Sequence, residues 1–451
     1  MWEVKRIILW VMAALLFIVP PALGQLNDSD TENCPDCNKT EPVKLGDVFV
    51  TAFHGGAVTI TPTKTVIDVE EFNKRGSVDR VEDILMHLTG IDVMRSSSGA
   101  DPQQIIMMRG FDDSRFTIAI DGRTITAPTA GADTYVDWSS LTTGDIEKIE
   151  VIRGGASAQY ENSQGGVINI ITKKGRKRDR LMPKVTLMSD YSRYNTFTAR
   201  STIDGGVGDL TYFLNAGYKE SDGYLRNNDY DGYDYSARLT YTFPFDGRLT
   251  VAAKGSYLDL GYAVVNDPDA QLTDDYDSDY PIVPEDADTI RRYRSISYPG
   301  GDNYKEKKAI HKDIGFEQPL PRSMVKLQLY ETRGEKDSYY YSPAKDKEGV
   351  LYLKQGFSGD DARKEKQVGG RLQYRMDFWD NNSLIVGYDQ RRMDVKSTPD
   401  VWRMEAGYFE DTWQITPKIS TLLGLRYANI REKTYAYSDE EGESFRFTVS
   451  A

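Results

Sequence analysis

The chain has 451 residues, 28% of them charged, with a formal net charge of -13 and a mean hydropathy of -0.54. So acidic a chain offers no basic face for a phosphate backbone, which argues against a nucleic-acid partner and suits cationic or metal-containing ligands. The hydrophilic average does not exclude a membrane protein built of strands, since each strand would turn alternate residues to lipid and to a polar lumen; the 29 Tyr, 16 Phe and 6 Trp are rings that settle at membrane interfaces.

The first predicted element is an export signal over residues 1–24. Lys5 and Arg6 precede the apolar run Ile7 to Val19, and Pro20, Pro21 and Ala22-Leu23-Gly24 follow it, the order of a basic region, an apolar core and a small-residue cleavage site. At roughly 13 residues the run is too short to cross a bilayer as a helix. Residues 25–46 read as a flexible polar tail with almost nothing to bury. Its two cysteines, in Cys34-Pro35-Asp36-Cys37, have neither the βαβ context of a redox couple nor a second ligand pair, so a local disulfide is expected, with redox or metal chemistry as the alternative.

Beside that tail lies the β-prone hexamer Asp47-Val48-Phe49-Val50-Thr51-Ala52. A strand without a sheet can add to the edge of a partner's sheet through main-chain hydrogen bonds. The alternative is that it is simply the first strand of the next domain. That domain, residues 47–175, reads as α+β. Its helix is predicted from Val81 to Leu88, capped by Ser77 or Asp79, striped by Val81, Ile84, Leu85 and Leu88 and ended by Gly90. Its strands are predicted at Thr65 to Val69, Ile105 to Met108, Thr117 to Ile120, Ile146 to Ile152 and Val167 to Thr172. The glycine-rich run Gly154 to Gly166 lacks the Gly-Lys-Ser/Thr ending of a phosphate loop.

A cluster of charge from Lys173 to Arg180 marks a boundary. Over residues 183–451 the pattern becomes a two-residue alternation: Asp234, Ser236, Arg238 and Thr240 against Tyr235, Ala237, Leu239 and Tyr241, and Arg371, Gln373, Arg375 and Asp377 against Leu372, Tyr374, Met376 and Phe378. A soluble sandwich also alternates, so loop length decides between the readings. Tight connections at Pro244 to Gly247, Asp380 to Asn382 and Thr416 to Lys418 take turns with long polar ones at Asp259 to Lys305 and Gly334 to Lys364, as in an outer-membrane barrel. The expected fold is therefore a transmembrane antiparallel β-barrel preceded by an α+β plug domain.

Several stretches carry a resemblance to the TonB-dependent receptor family: Ser77-Val78-Asp79-Arg80-Val81-Glu82-Asp83-Ile84-Leu85, Thr89-Gly90-Ile91-Asp92-Val93, Ile105-Ile106-Met107-Met108-Arg109-Gly110-Phe111, Ile120-Asp121-Gly122-Arg123, Asp145 to Tyr160, and Gly165-Gly166-Val167-Ile168-Asn169-Ile170-Ile171-Thr172. In order and spacing they cover the whole plug. Asp411 to Pro417 is a weaker echo in the barrel. The resemblance implies that residues 47–52 are the TonB box, and that Arg109 and Arg153 face carboxylates on the barrel wall and help to seat the plug, with ordinary surface arginines as the alternative. A charge inside a lumen must be paired to be tolerated. Glu161 stands where the family usually has Gly, a departure expected to bear on local turn geometry.

The resemblance further implies active import at the cell outer membrane, with TonB, outer-membrane lipid and a metal chelate as partners. A ferric siderophore is the first expectation, cobalamin the alternative; a ligand-sensing transducer without transport is the rival of another class. In the acidic loop, Asp274, Asp275, Asp277 and Asp279 offer hard oxygen ligands for Ca2+, although Tyr280 stands where an EF-hand needs Gly, and a solvated loop is the alternative. His54, His87 and His311 have no metal-ligand spacing and no catalytic triad is visible, so enzyme activity is not expected. Residues 183–451 have room for about 11 or 12 strands against about 22 in a plugged transporter of this type, so the chain is expected to be a fragment.

Overall fold

A computed structural model describes residues 57–446 apart from short internal stretches, the longest being 96–103, 285–303, 356–362 and 436–444. The export signal, the cysteine pair and Asp47 to Ala52 lie outside the described residues.

The plug is built on a six-stranded sheet of order β1-β2-β9-β10-β5-β6. Its members are β1 (Val58–Ile60), β2 (Lys64–Asp68), β5 (Phe116–Ile120), β6 (Arg123–Thr124), β9 (Ile146–Arg153) and β10 (Gly166–Thr172). Two hairpins flank it, β3 (Ile91–Arg95) on β4 (Gln104–Met108) and β7 (Ala127–Pro128) on β8 (Thr134–Tyr135). The unbroken apolar run of β5 follows from its place: β10 pairs it in parallel, β6 antiparallel, and all five of its residues are buried. Helices α1 (Val69–Asn73) and α2 (Val81–Leu85) lay Val69, Phe72, Val81, Ile84 and Leu85 against Ile67, Ile118, Ile149 and Ile168 of the sheet.

The predicted strands are found within a residue or so, but the helix is shorter than expected. It ends at Leu85, and the chain turns through Leu88 to Gly90, whose φ of +84° stops any continuation. Asp79 does not cap it; the N-cap is Arg80, without a side-chain cap bond, because the Asp79 carboxylate is drawn to the barrel wall. Helix α1 was not legible: a single turn has no periodicity to read, and its signal is the Asp68 carboxylate accepting the Glu71 N–H at 2.9 Å.

The wall is a twelve-stranded antiparallel sheet. In chain order it comprises β11 (Lys184–Ser192), β12 (Thr196–Val207), β13 (Leu210–Ser221), β14 (Tyr230–Thr242), β15 (Arg248–Gly261), β16 (Tyr304–Leu320) and β17 (Ser323–Tyr339), then β20 (Arg363–Trp379), β21 (Asn382–Val395), β22 (Asp400–Thr416), β23 (Ile419–Tyr435) and β24 (Phe445–Arg446). Between β17 and β20 a separate hairpin pairs β18 (Tyr341–Lys345) with β19 (Leu351–Gln355). The connection predicted from Gly334 to Lys364 is thus too long: β17 runs on to Tyr339 and the hairpin fills most of the rest. Alternation does what the sequence implies. Leu239, Tyr241, Leu372, Tyr374 and Phe378 are exposed on the outer face, while Asp234 turns inward to accept from Arg200 of the wall, and Arg238, Arg371 and Gln373 turn inward to bond to the plug.

The plug's apolar core draws all its members from residues 57–170, none from the wall, so the plug is packed as a body of its own. Ile118→Ala should therefore destabilise the plug by about 2–5 kcal/mol through lost burial and a cavity. Leu423→Ala, at a side chain 64% exposed on the wall's outer face, should leave plug unfolding unchanged; urea titration followed by protease sensitivity of the plug checks both.

Candidate functional site: the plug seated on the wall

What joins the two bodies is ionic and polar. Arg123 opens β6, and the preceding turn of Asp121 (φ +49°) and Gly122 (φ +86°) aims it outward from the plug. Only 2% exposed, it places Nε 2.6 Å from Asp313 Oδ1 and donates to Thr332 Oγ1 at 3.0 Å and Asp313 Oδ2 at 3.2 Å, with His311 Nδ1 at 3.2 Å and the Tyr330 ring beneath its guanidinium at 5.0 Å. The residues facing it come from β16 and β17, at alternate positions that share the inner face.

The same turn supplies a second contact of opposite sign. The Asp121 carboxylate accepts from Arg238 of β14, while within the plug it accepts from Thr172 N–H at 3.0 Å and Thr172 Oγ1 at 2.7 Å. Gly122 keeps the turn accessible: its carbonyl accepts from Arg371, and a Cβ there would stand 3.4 Å from Arg371 Nη1. Asp145, 4% exposed, pairs with Lys254 at 2.9 Å. Asp79 pairs with Arg200 at 2.6 Å, and Arg200 is also held by Asp234 at 2.9 Å.

A further cluster gathers on β20 to β23. Glu410 accepts from Ser157 Oγ at 2.7 Å, Ala158 N–H at 2.9 Å and Gln159 Nε2 at 2.8 Å. Arg371 lies between the Tyr160 and Tyr408 rings and donates to Tyr408 Oη at 2.7 Å and Gln159 O at 3.2 Å. Glu161, expected to matter for turn geometry, instead forms an ion pair with Arg391 on β21. The departure from the family pattern is a plug–wall contact.

Arg109 and Arg153, which the resemblance implied face wall carboxylates, meet none among the described residues. Arg109 is exposed, holds a φ of +55°, and makes no ion pair among the described residues; its backbone N–H donates to Gly90 O at 2.8 Å. Arg153 donates to Thr65 Oγ1 at 2.5 Å, a partner within the plug. Burial, reinforced by the nearby Arg109, presses its guanidinium below the usual pKa. Neither reaches a wall carboxylate among the described residues, where the seating contacts are made by Asp79, Asp121, Arg123, Asp145, Ser157 and Glu161. Of these, Asp79, Asp121, Arg123, Asp145 and Ser157 lie in stretches that carried the resemblance, but one sequence does not say which of its many charges meet across space.

Of the acidic loop, Asp274 and Asp275 lie outside the described residues. Asp277 spends Oδ1 on the Asp279 N–H at 2.9 Å. The loop is organised by Asn266, whose amide donates to the carbonyls of Asp277, Tyr280 and Pro281 at 2.8, 3.2 and 3.1 Å. Among the described residues no three acidic, histidine or cysteine side chains converge on a common point.

Arg123→Ala would leave the half-buried Asp313 without its ion pair and with only the Gln328 amide at 3.3 Å, so plug seating should weaken by up to about 3–5 kcal/mol. Adding Asp313→Leu should recover much of that, and plug protease sensitivity against urea reads both. A pH effect belongs to Glu150 on β9. Burial raises its pKa, but Lys64, at 3.2 Å, and Lys148, at 3.4 Å, outweigh it and hold the carboxyl below its ordinary value. A carboxylate depressed in the folded state stabilises above its unfolded pKa, and that contribution is lost as pH falls through the folded value. Glu150→Gln should accordingly flatten the acid limb of plug stability and lower stability at neutral pH.

Comparison with known proteins agrees with this architecture. A family profile described as TonB-dependent Receptor Plug Domain matches residues 58–167. The chain is 28% identical over 190 residues to the ferric enterobactin receptor PirA of Pseudomonas aeruginosa, covering 40% of this chain and 25% of that protein. It is 27% identical over 192 residues to the vitamin B12 transporter BtuB of Vibrio vulnificus, covering 42% and 30%. Among solved structures, the siderophore receptor PiuA of Acinetobacter baumannii superposes with a TM-score of 0.62 at 15% identity, over 86% of this chain and 61% of that one. The ferric-catecholate import receptor Fiu of Escherichia coli, in its closed form, gives 0.61 at 15% identity, over 86% and 61%. The chain thus spans less than a third of the length of the two curated relatives in these matches. Residues 58–167 match the plug-domain family of TonB-dependent receptors, and the antiparallel wall shares the fold of solved receptors of that kind.

Proposed function

We propose that the chain acts in the import of a scarce metal chelate across the cell outer membrane, with a ferric siderophore as the cargo and TonB as the source of work. The supporting observation is the plug's independence. Its apolar core is closed on itself, and its hold on the wall is a set of discrete ion pairs and hydrogen bonds. Such contacts can be exchanged for water singly as the plug shifts, whereas a shared apolar core would have to be torn open.

In this reading Asp47 to Ala52 bind TonB by adding a strand to its sheet, and the pull is delivered to a domain stable enough to move as a unit. Cobalamin is the second reading. Its support is the likeness to a vitamin B12 transporter and the acidic loop at 274–279, where Asp274, Asp275, Asp277 and Asp279 would hold Ca2+.

Because strand addition depends on main-chain donors, Val50→Pro should abolish energised uptake of a ferric siderophore at unchanged surface level, and Val50→Ala should spare it. Uptake measured with labelled iron decides; full uptake by the proline variant would overturn the coupling to TonB.

A further inference from the structure

The outer face of the wall is not uniform above its apolar band. On β21, β22 and β23 the register sets Tyr388, Gly407 and Tyr427 in one cross-strand row, with Tyr388 and Tyr427 exposed. The next row on the same face is Gln390, Glu405 and Asn429. The row after that is Arg392, Arg403 and Arg431, directly opposed across three strands and all exposed. Adjoining it on β17 and β20 are Arg333 and Lys366, paired in register one place outward.

Like charges directly opposite on one sheet face repel at side-chain separations of about 5 Å. Part of this charge is answered within the wall: Arg392 meets Asp394 at 2.9 Å, and Glu331 serves both Arg333 at 2.8 Å and Lys366 at 3.5 Å. Arg403 and Arg431 reach no carboxylate among the described residues. Position says what answers them. Four residues of a tilted strand rise about 10 Å, so the arginine row stands that far above the tyrosine row, on the side of the long connections, where headgroups of the outer leaflet lie.

The geometry points to Arg392, Arg403 and Arg431 as a docking site for a lipid headgroup carrying more than one phosphate. Guanidinium forks match phosphate oxygens bidentately, and three in a row can span two phosphates as a single charge could not. The site is confined to this side of the wall. On β13 to β17 the same face, toward the long connections, carries Glu220, Asp231, Asp259, Glu306 and Asp337 opposed in register, which would repel the same headgroup. The inference goes beyond import and rests on the reading of the wall's outer face as a membrane surface.

The test titrates the full chain, folded in detergent micelles, with diphosphoryl lipid A, and with dephosphorylated lipid A, phosphatidylglycerol and inorganic phosphate in separate arms. Diphosphoryl lipid A should bind best. Replacing all three by glutamine (Arg392→Gln, Arg403→Gln, Arg431→Gln) should weaken it about a hundredfold, since each basic side chain at an anionic lipid surface is worth a factor of about five. Replacing all three by lysine should retain most of the binding. Without lipid A the glutamine variant should unfold no earlier than the native chain, because repulsion has been removed, and this separates loss of binding from loss of fold. Unchanged affinity in the glutamine variant, equal binding of phosphatidylglycerol, or displacement by inorganic phosphate would each overturn the site. If the folded chain takes up no lipid of any kind, the membrane reading of the wall falls with it.

Discussion

A strand that has lipid on one side must send its charges to the other, and there they cannot be left alone. That constraint organises the molecule. Period-two alternation delivers Arg200, Arg238, Lys254, Asp313, Arg371, Arg391 and Glu410 to the inner face of the wall, a region where an unpaired charge is costly. The plug answers with groups of the matching sign: Asp79, Asp121, Arg123, Asp145 and Glu161, and the hydroxyl and amides of 157–159. Wall and plug are each incomplete electrostatically without the other.

The consequence is a joint whose strength is divided among many sites. Each buried pair stabilises little relative to a well-packed apolar contact but is expensive to break on one side only. Such an interface holds position with specificity while leaving the two bodies separately folded, since the plug core from Ile67 to Ile170 includes no wall residue. In the proposed import, where the plug is shifted without being unfolded, that division of labour is what the joint supplies. The turn at Asp121-Gly122-Arg123 shows how compactly it is encoded, because one left-handed pair of residues aims an acid at Arg238, a carbonyl at Arg371 and a base at Asp313.

The outer face obeys the same rule with a different partner. Below the level of Tyr388 and Tyr427 most outward residues are apolar, as at Val386, Leu423 and Leu425, and the outward Asp411 is answered by Asn382 at 2.8 Å. Above it the strands continue, several of them seventeen residues long, further than the 9–11 or so needed to cross. Charges there have no plug to meet. Where they alternate in sign they answer one another, as Glu331 does for Arg333 and Lys366; for the like-signed row of Arg392, Arg403 and Arg431 the proposed partner is a lipid headgroup.

The amino-acid sequence by itself determined the periodicities, and with them the class of each part: the alternation in β14 and β20, the buried run of β5, and the order of motifs that resembles a plug. Those follow from local physics, because side-chain direction repeats every two residues in a strand whatever surrounds it. Tertiary structure alone decided the partners. Nothing near Glu161 in the chain announces Arg391, and nothing near Arg123 announces Asp313, because the two members of each pair are brought together by sheet register across more than a hundred residues of sequence. For the same reason Arg109 and Arg153, the conspicuous arginines of the motifs, were expected at the joint, whereas the plug–wall ion pairs among the described residues are made by others. Charge type is written locally, but which charge it meets is fixed only when strands slide into register.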